Sequence, residues 1–161
     1  MAKKIKTNAM RILERNKISY EVFEYPHGNE AVEGNEVARL MGQNPAQVFK
    51  TLVAKGRSGE YYVFDIPVNR ELDLKKAAKA VNEKNIEMVH VKDLLKICGY
   101  ERGNVSPLGM KSSFVTVFDS SALEYERIYI SAGKIGLQIF VNTTALLNQI
   151  NAKTDTVVSM Q

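Results

Sequence analysis

The chain has no tryptophan, one cysteine, two histidines and four prolines in 161 residues. A lone cysteine, Cys98, cannot close an internal disulfide, which suits a reducing, cytoplasmic setting. Its apolar neighbours Leu94, Leu95 and Ile97 favour a buried structural thiol over a nucleophile. His27 and His90 lie far apart without carboxylates at ligand spacing, so neither a metal nor another cofactor is expected. No apolar run approaches the roughly 20 residues of a bilayer-spanning helix. The basic start, residues 1–6, lacks the apolar stretch of a signal peptide, and no membrane partner is expected. Nucleophile-elbow, Walker and dinucleotide-binding motifs are missing too. Neither sign of charge dominates: 22 Lys and Arg against 18 Asp and Glu leave +4. That balance permits a polyanionic partner without requiring one.

What is present reads as an α+β chain, one domain over residues 1–161, with a mixed, mostly antiparallel sheet and surrounding helices. Asn8 to Arg15 carries a helical apolar stripe behind a Thr7 cap. Ile18 to Tyr25 reads as a strand stopped by Pro26. A second helix spans about Ala31 to Met41 and closes at Gly42. Asn44-Pro45-Ala46-Gln47 combines a cap, a first-turn proline and a capping-box glutamine, which makes one helical turn. Val48 to Val53 follows as a strand, turning through Lys55 to Glu60 into Tyr61 to Ile66. Asp73 caps a helix with Leu74, Ala77, Ala78 and Val81 on one face. Met88 to Val91 is a short strand, and Asp93 to Cys98 a helix. Phe114 to Phe118, Arg127 to Ser131 and Leu137 to Val141 complete the strands, the last two as a hairpin. Thr143 or Thr144 caps a terminal helix, and Asp155 to Ser159 closes the chain.

Two features stand out. Lys50 sits among β-formers; it is either a half-exposed strand lysine or an ammonium reaching into a cleft to hold a phosphate. The run Gly99-Tyr100-Glu101-Arg102-Gly103-Asn104-Val105-Ser106-Pro107-Leu108-Gly109 is too rich in special residues for a plain connector. Its glycines open backbone angles closed to other residues, Asn104 tolerates the left-handed region, and Pro107 extends Ser106. Such a loop either turns the chain or aims several N–H groups at one oxygen.

Phe49-Lys50-Thr51-Leu52, Leu72-Asp73-Leu74-Lys75-Lys76-Ala77-Ala78, Gly99-Tyr100 with Gly103 to Gly109, and Ser131-Ala132-Gly133 before Gly136-Leu137 keep a fixed order and spacing. In these the chain resembles the YbaK/EbsC family, free-standing Cys-tRNA(Pro) deacylases related to the editing domain of bacterial prolyl-tRNA synthetases. The resemblance implies an enzyme that clears cysteine mischarged on proline tRNA, with prolyl-tRNA synthetase as a further partner. It implies that Lys50 holds the acceptor end's terminal adenosine and phosphate. Gly103 and Ser106 would act at the ester carbonyl, in a wall with Asn104, Val105 and Pro107. Tyr25, Thr51 and Ser131 would line the pocket. It also implies that the substrate's own thiol attacks the ester, releasing a thiolactone. Two alternatives stay open: a deacylase for another amino acid, such as Ala-tRNA(Pro), and a non-catalytic aminoacyl-tRNA-binding module. Ser106-Pro107 favours cysteine, since alanine-specific relatives tend to carry Thr-Pro. The chain departs from the family in reading Gly103-Asn104 where members often have Gly-Gly. It also lacks the acidic residue often found near His27, so no catalytic role passes to that histidine.

Overall fold

The computed structural model describes residues 5–160; Lys3 and Lys4 of the basic start lie outside them. The helices are α1 (Asn8–Arg15), α2 (Gly34–Met41), α3 (Leu74–Ala80), α4 (Leu94–Cys98) and α5 (Thr143–Gln149). The strands are β1 (Tyr20–Glu24), β2 (Phe49–Gly56), β3 (Tyr61–Pro67), β4 (Ile86–Met88), β5 (Val115–Asp119), β6 (Arg127–Ser131), β7 (Leu137–Asn142) and β8 (Lys153–Asp155). None of these helices is long and apolar enough to cross a membrane.

The strands form two sheets, β1-β7-β6 and β4-β2-β3-β5-β8. The first is antiparallel throughout. In the second, β2 pairs antiparallel with β3 and β4, while β5 runs parallel to β3 and β8. A single parallel rung, Val48 to Tyr129, joins the two sheets. The fold is α+β with mostly antiparallel pairing, as the alternation of residues implies.

Each sheet has its own core. The first packs Ile128, Ile130 and Ile139 against Met10 and Leu13 of α1 and Leu146 of α5, and draws Phe49 and Phe118 in from the second sheet. The second packs Phe64, Ile66 and Val117 against Ala77 and Ala78 of α3. Small α3 residues let that helix lie close to the strands, and every buried leucine or isoleucine contributes about 1.5–3 kcal/mol. Leu74 departs from the expected α3 stripe and stays exposed.

Several boundaries move for identifiable reasons. β2 extends to Gly56, because Ala54, Lys55 and Gly56 pair with Met88, Glu87 and Ile86 of β4. The short strand expected at Met88 to Val91 is therefore Ile86–Met88. α2 begins at Gly34, since the Glu33 carboxylate accepts the Glu36 N–H at 3.2 Å and caps the helix there. The cap of α5 is Asn142, whose side chain accepts the Ala145 N–H at 2.9 Å. Thr143 instead donates its hydroxyl to the Tyr125 carbonyl at 2.7 Å. At the end of the chain β8 stops at Asp155, and Val158 bridges antiparallel to Leu72.

Candidate functional site

Where β2 leaves the rung to β6, the two sheets diverge and leave a cavity of about 320 Å³. One wall is Val48 and the β2 residues that follow it, Phe49 to Val53. The facing wall combines Ile130 and Ser131 of β6 with Leu137 and Gln138 of β7. Gly34 and Val37 of α2 close one side, and Arg102, Gly103 and Val105 of the glycine loop close another. Gly34 is required at its position, because a Cβ there would sit 2.4 Å from a Val68 methyl carbon.

The lining is mainly aliphatic, so its polar groups are few and their partners matter. Lys50 is half-buried on β2. Next to it, Thr51 donates its hydroxyl to the carboxyl of Asp65, which is fully buried on β3. Burial pushes Asp65 up to about 8, opposed only by that hydrogen bond. Its second oxygen has no partner among the described residues. Across the cavity, the Ser131 hydroxyl donates to the Asn104 carbonyl at 3.3 Å and accepts the Gly133 N–H at 3.0 Å. Gln138 is buried and exchanges two hydrogen bonds with Gln43, at 2.8 and 3.0 Å. Tyr25 enters from the end of β1, its amide donating to Gly136 at 2.9 Å.

The glycine loop is built against the cavity from behind. Gly99 ends α4 in the left-handed conformation. Gly103 has φ +91°, and a Cβ there would lie 2.7 Å from that of Ala31. Asn104 does not take the left-handed region that its type permits. Its amide donates to the Glu101 carbonyl at 2.9 Å, while Gly103 on one side and Val105 on the other face the cavity. The Ser106 hydroxyl is fully buried and accepts the Leu108 N–H at 3.2 Å, holding the Ser-Pro turn. Pro107 faces a separate surface depression beside Ile12 and Phe114. Thus Tyr25, Lys50, Thr51, Gly103, Val105 and Ser131 come together around one cavity, while Asn104, Ser106 and Pro107 form the layer supporting it.

Three further residues clarify the chemistry. The Cys98 thiol is buried beside the Tyr100 carbonyl, 3.7 Å away, and burial pushes it up, away from thiolate. His27 is exposed, its Nδ1 2.9 Å from the Gly28 carbonyl, and it is not part of the cavity wall. Arg102, by contrast, is exposed and does line the cavity, adding a guanidinium to the ammonium of Lys50. Arg102 and Gln138 are the residues that sequence reasoning passed over. Arg102 was visible as a charge inside the glycine loop; Gln138 was visible as an amide in an otherwise apolar strand. Together the wall offers an apolar interior for a small side chain and cations for anionic oxygens, with Gly103 and Val105 bringing loop backbone to its edge.

Comparison with known proteins follows the same lines. The family model for the aminoacyl-tRNA editing domain matches residues 29–148. A protein of Enterococcus faecalis named as a Cys-tRNA(Pro)/Cys-tRNA(Cys) deacylase, EbsC, is 43% identical over 92% of this chain and 90% of its own. A proline–tRNA ligase of Thermosipho melanesiensis is 26% identical over 71% of this chain, which matches 21% of the ligase. Among solved structures, one described as a trans-editing enzyme for prolyl tRNA synthetase superposes with a TM-score of 0.82 at 22% identity, covering 98% of this chain and all of that one. At that identity the likeness speaks for the fold.

Proposed function

The chain belongs to the aminoacyl-tRNA editing domain family, and from that premise we propose that it works in trans as a deacylase removing cysteine mischarged on proline tRNA. Family membership supplies the reaction class, cleavage of the ester between an amino acid and a tRNA 3′ end. The similarity to a Cys-tRNA deacylase and to a proline–tRNA ligase supports cysteine and proline tRNA as the substrate pair. It also supports prolyl-tRNA synthetase as the protein beside which the enzyme acts. On this reading the whole chain acts as one editing domain.

The observation that carries the mechanism is that the hydroxyls of Thr51 and Ser131 are already engaged, by Asp65 and by Asn104 with Gly133. The nearby thiol, Cys98, is buried outside the cavity wall. A reacting sulfur then comes from the substrate. Lys50 and Arg102 hold the phosphate and ribose of the acceptor end, and the cysteine side chain enters the aliphatic interior beside Gln138. The amides of Gly103 and Val105, the two loop residues that line the cavity beside Arg102, serve the ester carbonyl and stabilise its developing negative charge, while the Asn104 amide stays bonded to Glu101. The substrate thiol attacks that carbonyl: a C–S bond forms, the C–O bond to the ribose breaks, and the thiol proton passes to the departing 3′ oxygen. The product is a thiolactone and free tRNA. Holding thiol and carbonyl in contact supplies several kcal/mol through proximity alone. Ser106 acts through the loop, by fixing the turn behind it.

The experiment is deacylation of Cys-tRNA(Pro) beside Ala-tRNA(Pro), with and without prolyl-tRNA synthetase. Release of cysteine well above the uncatalysed rate, with alanine retained, is expected. Faster release of alanine, or tight tRNA binding without hydrolysis, would replace this reading.

A further inference from the structure

Beyond the aliphatic cavity lies a second cleft of about 470 Å³, and its lining is of a different kind. Lys50 and Val68 belong to both. The first turn of α2 forms the ridge between them: Gly34 faces the aliphatic cavity, while Glu33 and Asn35, on either side of it, face the cleft. That ridge exists because Gly34 lets α2 press against Val68. The cleft is otherwise built from the turn after β3, through Asn69, Arg70 and Glu71, and from Ser159 and Met160. Arg70 is half-buried, held by donation from its Nη2 to the Ser159 carbonyl. The Ser159 N–H in turn donates to the Glu71 carbonyl at 2.9 Å, so the two segments brace one another.

We propose that this cleft is a second subsite, taking a ribonucleotide unit of the RNA that carries the ester, with Arg70 as its anchoring cation. The inference rests on the deacylase reading, which places the ester in the neighbouring cavity. The lining suits a nucleotide better than a bare anion. Lys50 and Arg70 present ammonium and guanidinium donors to a phosphodiester. Asn35 and Asn69 offer amides able to pair with base edges. Glu71 supplies a carboxylate that accepts from ribose hydroxyls, whereas the Glu33 carboxylate is already engaged at the Glu36 N–H. Lys50, common to both spaces, stands where the aminoacyl ester ends and the nucleotide chain begins.

The test is binding of a 5′-labelled short RNA ending in CCA, followed by fluorescence anisotropy across a salt series. Arg70→Ala is expected to weaken binding about tenfold. It should also lower the slope of log affinity against log salt by about 0.7, the value for one lost contact on a single strand. Because Arg70 also braces Ser159, a charge pair at exposed Asn69 provides an independent reading. Asn69→Lys should tighten binding and Asn69→Glu weaken it, with melting temperatures unchanged. Unchanged RNA affinity and salt slope in Arg70→Ala, or equal affinities for the two Asn69 variants, would overturn the subsite. Hydrolysis by the wild-type protein is scored separately. Inactivity on aminoacyl-tRNA with Arg70-dependent RNA binding would sink the deacylase reading and leave the subsite.

Discussion

The Thr51 hydroxyl donates to a carboxyl, that of Asp65, which is fully buried one strand away. Thr51 and Asp65 face each other in the β2–β3 register, so the bond runs between neighbours on adjoining strands. One carboxyl oxygen is satisfied and the other has no partner among the described residues, an arrangement that favours the neutral acid.

A pH dependence of stability follows from that carboxyl. Its folded-state value is raised to about 8 from the ordinary 3.8, so the folded protein holds a proton that the unfolded chain releases. Its contribution is whole below about pH 4 and is lost as pH rises through about 8. Within that window the loss has a limiting slope of about 1.4 kcal/mol per pH unit. Asp65→Asn keeps an acceptor for Thr51 and removes the titration. Thermal melts from pH 5 to 9 should fall for the wild type more steeply than for the variant; parallel curves would show that Asp65 does not titrate there.

Lys50→Ala should reduce kcat/KM on Cys-tRNA(Pro) by about 100-fold or more, the scale of misplacing a substrate whose charged anchor is lost. The fold should survive, because Lys50 is only half-buried. Steady-state deacylation alongside circular dichroism checks both halves.

Cys98→Ser should leave deacylation within about twofold, because the thiol faces the Tyr100 carbonyl and not the substrate. The native protein should also resist iodoacetamide until denatured. Rapid alkylation of the folded protein with loss of activity would reinstate Cys98 as a nucleophile.

Gly103→Ala is expected to cost about 1–3 kcal/mol through its φ of +91°. The new methyl must also meet Ala31 at 2.7 Å. Activity should fall with stability, whereas Gly59→Ala, also at positive φ but with open space around it, should lose stability alone. Urea melts and deacylation rates of the two variants separate backbone strain from displacement of the cavity wall.

Gln43→Ala and Gln138→Ala should each cost about 1–3 kcal/mol, since either leaves a partly buried amide unpaired. The double variant should lose less than the sum. Chemical denaturation of the four proteins completes the cycle; strict additivity would dissolve the pair.

Local signals made much of this fold legible. Thr7, Asp73 and Gly42 sit at the helix ends that their chemistry predicts, because capping is decided within a few residues. Asn142 won over Thr143 at α5 because Tyr125, distant in sequence, claims the threonine hydroxyl. Such competition is tertiary and leaves no trace in a local window. Lys50 and the glycine loop stood out as residues at odds with their surroundings, and both do line the one cavity. Arg70 and Gln43 did not stand out, since an arginine in a turn and a glutamine after a helix are unremarkable until the fold gives them neighbours.

The Val48–Tyr129 rung has a mechanical consequence. It acts as a spine, with the sheets as two leaves and the cavity in the gutter between them. A substrate held by Lys50 on one leaf and by Gly103, backed by Ser131, on the other ties the leaves together beyond the spine. Occupancy should therefore raise the melting cooperativity of the two sheets as one unit, adding a tie to the rung and to the Phe49 and Phe118 packing that already joins them.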